Sequence, residues 1–153
     1  MLEEAFKKKA SISACMMVKN EEELLPGSLE SIRNWVDEIV VVDTGSTDRT
    51  VEIAESYGAR VYHQPWANDF SLHRNYSTSL ATGDWILIID ADERIVEDDV
   101  PMLLRAIEED RFGVISLNVI NVYGADESKV TFLNSFRIFK RELDLKYEGI
   151  VHN

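Results

Sequence analysis

The chain has 153 residues, 45% of them apolar and 29% charged, with a formal net charge of -12. That is enough for one domain with a real core, too hydrophobic for a disordered segment, and too acidic for a protein that grips a nucleic-acid backbone. Its single cysteine, Cys15, rules out an internal disulfide and a thiolate metal cluster, and no apolar run approaches the ~20 residues that span a bilayer. The first residues, MLEEAFKKKA, lack the charge order of a secretory signal. A cytoplasmic address is therefore expected, and membrane association is left to regions outside this sequence.

Residues 1–10 read as an extension, and the elements begin with SISACMMV, a buried strand over residues 11–18 that holds Cys15 as a small hydrophobe. Residues 21–36 follow as a helical segment, with Leu25, Leu29 and Ile32 on one face and Pro26 in the first turn. DEIVVVD, residues 37–43, is a second strand. Ser46, Thr47 or Asp48 can cap the next helix, which carries Val51, Ile53 and Ala54 and stops at Gly58. A third strand, ARVYHQ, precedes a helix of mixed polarity over residues 68–83. The fourth strand is DWILIID, residues 84–90, and Pro101 then opens a helix to residue 110. FGVISLNVINVYG and SKVTFLNSFRIFKR close the sequence as two long strands joined through GADES, a hairpin.

Strands alternating with helices predict an α/β domain: a mostly parallel sheet, helices on both faces, and an antiparallel hairpin toward the C-terminus. Such sheets bind ligands beyond the carboxyl ends of their strands, and two strands here end in acid, at Asp43 and Asp90. If the extended backbone continues through Ala91, Asp90 and Asp92 point the same way. Like charges so close repel, and a divalent cation, Mn²⁺ or Mg²⁺, with hard oxygen ligands removes the conflict. The alternative is that these acids cap a strand end and a turn in water. Arg74 reads either as a fork of donors for phosphate or as a solvated helix-face arginine. Trp66 and Phe70 read as core residues, His63 and His73 as structural ones.

The segments ISACMMVKNEEE, DEIVVVDTGSTDRT, NDFSLHRNYSTSLATGDWILIIDADE and YEGIVHN occur in an order that resembles family two glycosyltransferases, in the branch with a KNEE-type first loop and a DAD motif. The resemblance runs from about Ser11 onward. It implies the GT-A fold and inverting transfer of a sugar from a nucleotide donor, most often UDP-linked, to an acceptor that is a saccharide, lipid or protein. Asp90 and Asp92 match the family's metal pair, with His152 completing the metal site in some members. Val18, Lys19, Asn20 and Glu21 match the loop where the base sits, and Asp43 the acid that contacts base or ribose. Arg74 and Ala91 match positions that approach the nucleotide.

The resemblance leaves the general base unassigned. In the family this carboxylate usually lies beyond the metal pair, and Glu148, the acid near the end of the chain, has no confident match to it. Glu93 reads as a helix-cap acid. Residues 11–153 are thus expected to be a donor-binding domain cut short at its C-terminus. Two other readings compete: a non-catalytic sugar-nucleotide-binding module and a sugar-phosphate nucleotidyltransferase. The second is disfavoured because VKNEEELLPG places acids where backbone amides would cradle a triphosphate.

Overall fold

A computed structural model of the chain describes residues 9–150. The apolar runs become four parallel strands, β1 (Ile12–Val18), β2 (Glu38–Asp43), β3 (Arg60–His63) and β4 (Trp85–Ile88). β5 (Val114–Tyr123) and β6 (Lys129–Lys140) form the antiparallel hairpin, and β6 runs antiparallel along β4. The order is β3-β2-β1-β4-β6-β5, so the expected α/β architecture is the one observed.

Three helices are shorter than the sequence predicts, α1 (Leu25–Ile32), α2 (Thr50–Ser56) and α3 (Phe70–Ser79), while α4 (Val100–Glu109) matches its expected length and lies within one residue of its expected ends. Pro26 does lie in the first turn of α1. Of the three caps proposed for α2, Asp48 accepts the Thr50 N–H at 2.9 Å. Ser46 and Thr47 bind the first loop instead. Gly83 is not a helix end. It is required because an added Cβ would stand 2.7 Å from Ser13 Oγ and 2.9 Å from its backbone nitrogen.

The chain winds outward from β1 through β2 to β3, then returns to lay β4 on the other side of β1. That reversal opens a crevice at the carboxyl ends of β1 and β4. It also divides the helices between two layers. Leu25, Leu29, Ala54 and Leu103, from α1, α2 and α4, pack on one sheet face with Ala14, Met16, Val41 and Leu87. The opposite face, with Cys15, Val40 and Ile88, carries Leu80 and Ala81 at the end of α3.

Helix α3 has no apolar stripe. It buries Ser71, His73, Ser77 and Thr78, and the last two hydroxyls donate to the carbonyls of Arg74 and Asn75 at 2.7 and 3.0 Å. Small self-satisfied side chains let it lie close to the sheet.

The acids at the amino-terminal rim serve structure. Asp37 accepts the Ile12 N–H at 2.8 Å, Asp84 accepts the Ser11 N–H at 2.9 Å, and Glu38 joins Ser13, Thr82 and Arg60. A hollow of about 780 Å³ opens on this rim beside Asp84, Trp85, Ile107 and Lys140, away from every predicted site residue.

Candidate functional site

At the carboxyl rim three loops meet. The loop after β1 carries Lys19, Asn20 and Glu21 beyond buried Val18. Asn20 takes a left-handed φ of 53°, which this residue type tolerates better than most. That turn lets its N–H donate to Ser46 Oγ at 2.9 Å while its side-chain oxygen accepts the Thr47 N–H at 2.8 Å. Next to it, the Glu21 N–H donates to Thr50 Oγ1 at 2.8 Å. The loops after β1 and β2 are thereby locked together.

Asp43 ends β2 directly opposite Val18. Its carboxylate is only 5% exposed and accepts from the amides of Gly45 and Ser46, with His63 Nδ1 3.4 Å away. The residue thus does the turn chemistry that the sequence offered as an alternative. His63 is exposed rather than structural, at the same rim. Trp66 and Phe70 are not core residues either. Trp66 packs on His73 at 5.0 Å and edge-on to Phe70 at 4.9 Å, with its indole N–H donating to Asn68 Oδ1 at 2.9 Å and its backbone N–H to Thr44 O just past β2.

The acidic cluster departs from the extended geometry expected of it. β4 stops at Ile88, and Asp90 to Glu93 form a turn closed by Glu93 N–H donating to Asp90 O at 3.0 Å. The two aspartates consequently do not share a strand face. Buried Ala91 anchors the turn, Asp92 projects into solvent, and Asp90 turns toward α3. There one terminal nitrogen of Arg74 spans both Asp90 oxygens at 3.0 and 3.2 Å. Arg74 is therefore no solvated arginine: its side chain is 16% exposed and its guanidinium lies 5.6 Å over the Tyr147 ring.

Glu93 is not a helix cap, since α4 begins seven residues later. Its carboxylate accepts the Asp90 N–H at 2.9 Å and pairs with Arg137 at 2.7 Å. Arg137, Asn75 and Tyr147 belong to this cluster and were not singled out from sequence. An arginine inside the apolar run FRIFK was the visible signal for the first. Nothing local marked the other two.

Burial raises the Glu93 carboxyl above its ordinary range, against the help of the Asp90 amide and Arg137. Glu21 is also raised, first by burial and then by the charges of Asp92, Asp48 and Asp90. The Glu21 carboxyl thus faces three like charges beside a hollow lined by Asn20, Glu21, Leu24 and Asp48. Among the described residues no group of three or more His, Cys, Asp or Glu is placed to hold a metal ion. His152, the third expected ligand, lies outside the described residues. The donor set at hand, the hard carboxylate oxygens of Asp90 and Asp92, nonetheless suits a divalent cation, with Asp90 engaged by Arg74 and Arg137.

The family model for Glycosyl transferase family 2 matches residues 13–153. This chain belongs to that family. An uncharacterized glycosyltransferase of Rickettsia felis is 35% identical over 124 residues, covering 79% of this chain and 44% of its own length. The S. aureus TarS 1–349 complex with UDP-GlcNAc is 26% identical with a TM-score of 0.61, over 68% of this chain and 33% of that one. Glucosyl-3-phosphoglycerate synthase of Mycobacterium tuberculosis, solved with Mn²⁺, UDP and glucosyl-3-phosphoglycerate, is 29% identical with a TM-score of 0.54, over 68% and 42%. These likenesses establish the GT-A type fold for the family 2 domain. The chain spans less than half the length of the curated relatives it matches.

Proposed function

We propose that the family 2 domain binds a nucleotide-sugar donor, UDP-linked, with a divalent cation, and serves an inverting sugar transfer to an acceptor. The observation that carries this reading is the convergence of Asn20, Glu21, Asp43, Arg74, Asp90 and Asp92 at one rim, with Arg74 seated on Asp90. UDP-GlcNAc bound to TarS, and UDP with Mn²⁺ bound to the mycobacterial synthase, support the donor class.

In this reading the base lies along Val18 to Glu21 and Asp43, a loop pair already fixed by hydrogen bonds. Asp90 and Asp92 hold the cation, together with His152. When bound, the cation stabilises charge on the departing diphosphate as a Lewis acid. Arg74 supplies donors to the same oxygens, strengthened by its half-dry setting over Tyr147. Val18 and Ala91 contribute buried backbone that shapes the floor.

Calorimetric titration with UDP, with and without Mn²⁺, tests the reading. Mn²⁺ is expected to tighten UDP binding, and Asp92→Asn to weaken the metal-dependent part about tenfold or more while leaving the unfolding midpoint unchanged. UDP binding that ignores Mn²⁺ and Asp92 overturns it.

A further inference from the structure

Arg137 reaches the acidic turn through a defect in the sheet. Along the hairpin the register passes from Ile115 opposite Ile138 to Ser116 opposite Phe136, so Arg137 has no residue across from it on β5. It is the extra residue of a β-bulge, a device that re-aims one side chain and often sits beside a functional site. On the other side, pairing of β6 with β4 ends at Ile138 opposite Leu87. The bulge thus falls where β6 parts from β4, just short of the turn that begins at Asp90.

The side chain delivered there is 16% exposed. One terminal nitrogen pairs with Glu93 at 2.7 Å and the other stands 4.0 Å from Asp90 Oδ2. Its Nε is buried without a hydrogen-bond partner among the described residues. Leaving such a donor unmet in the interior is costly, so this pose is held by the carboxylates and not by full satisfaction of the guanidinium. Counting the four groups in contact, Asp90 and Glu93 contribute two negative charges while Arg74 and Arg137 contribute two positive ones. Asp90 is therefore already neutralised, whereas Asp92 makes no hydrogen bond or ion pair among the described residues.

We propose that Arg137 is a positioning residue of the donor site. With Arg74 it engages Asp90, and it yields Asp90 to a divalent cation when a donor diphosphate draws the two guanidinia away. This rests on the donor-site reading above and extends it to a residue and a coupling. A cation alone meets a carboxylate already engaged by two arginines, so it binds weakly. A diphosphate offers the arginines new acceptors and the cation new ligands together, and each ligand raises affinity for the other by the same factor.

The test titrates Mn²⁺ alone, UDP alone and both together into the wild-type chain and three variants, with unfolding midpoints measured alongside. Arg137→Met is expected to bind Mn²⁺ alone about fivefold more tightly and to lose about tenfold of the Mn²⁺–UDP coupling. Arg137→Lys keeps the positive charge and stays near wild type for Mn²⁺ alone. Glu93→Gln leaves the arginines in excess and weakens Mn²⁺ binding, a change of opposite sign that remains readable even if Arg137→Met does not fold. Mn²⁺ affinity that is unchanged or lower in Arg137→Met, or unchanged in Glu93→Gln, overturns the proposal while the donor reading stands. A wild-type chain that binds neither Mn²⁺ nor UDP removes the donor reading and this proposal with it.

Discussion

Both ring nitrogens of His73 are engaged. Nε2 accepts the Ala67 N–H at 3.2 Å, and Nδ1 faces Gln64 Oε1 at 2.7 Å, an arrangement that suits the neutral ring with its proton on Nδ1. Burial lowers its pKa from the ordinary 6.5, only partly opposed by Asp69. The unfolded chain then binds the extra proton first as pH drops. His73 accordingly contributes stability that is complete above 6.5 and is lost as pH falls below it toward the native value. The urea midpoint should fall more steeply in wild type than in His73→Gln between about pH 7 and pH 5. Equal slopes would show that the ring titrates alike in both states. Reading His73 as structural was possible from sequence because a histidine within a helix usually is. Arg74, one position on, shows the limit. Its choice between solvent and site depends on Asp90, sixteen residues away across a strand and a turn.

At the scale of elements, α3 and the segment after β6 form one unit. Asn75 donates to Tyr147 O at 2.9 Å and accepts the Tyr147 N–H at 2.8 Å, while Phe70 N–H reaches Ile150 O at 3.1 Å and Ser71 bonds Gly149 O. These contacts press Tyr147 beneath Arg74 and so help set the guanidinium on Asp90. Asn75→Ala should cost about 1–3 kcal/mol and speed hydrogen exchange at the Tyr147 amide, while β1 and β4 amides keep their protection. Protection at Tyr147 that survives the change would mean that the helix does not hold the segment. The strand–helix alternation was plain in the sequence because periodicity is local. Element ends were not. The fourth strand read as reaching Asp90, with extension through Ala91 as a condition, yet it stops at Ile88 and the chain turns because Glu93 caps the Asp90 amide and Ser28 of α1 donates to the Asp90 carbonyl at 3.1 Å.

Across the whole molecule, charge and hydrophobicity are distributed unevenly. Acids at the amino-terminal rim are consumed by backbone amides and Arg60, those at the carboxyl rim are divided among backbone amides, two arginines and solvent, and β5 contains no charged residue at all. β5 is also an outer strand of the sheet, and Ile120, Val122 and Phe132 of the hairpin are 50–72% exposed. A long uncharged edge of this kind templates pairing with another chain. Light scattering should show self-association that grows with concentration, and the double change Ile120→Lys with Phe132→Lys should suppress it without lowering the unfolding midpoint. Association unaltered by those charges would place the contact elsewhere. By itself the sequence determined the fold class, the placing of Asp43 and Asp90 at the carboxyl rim and the family, since each is carried by runs and motifs within a few residues. Only the tertiary structure decided that two arginines occupy Asp90 and that Arg137 belongs to the site at all. Those facts follow from strand register, a one-residue bulge and contacts across 16 and 44 positions, for which no local pattern is required.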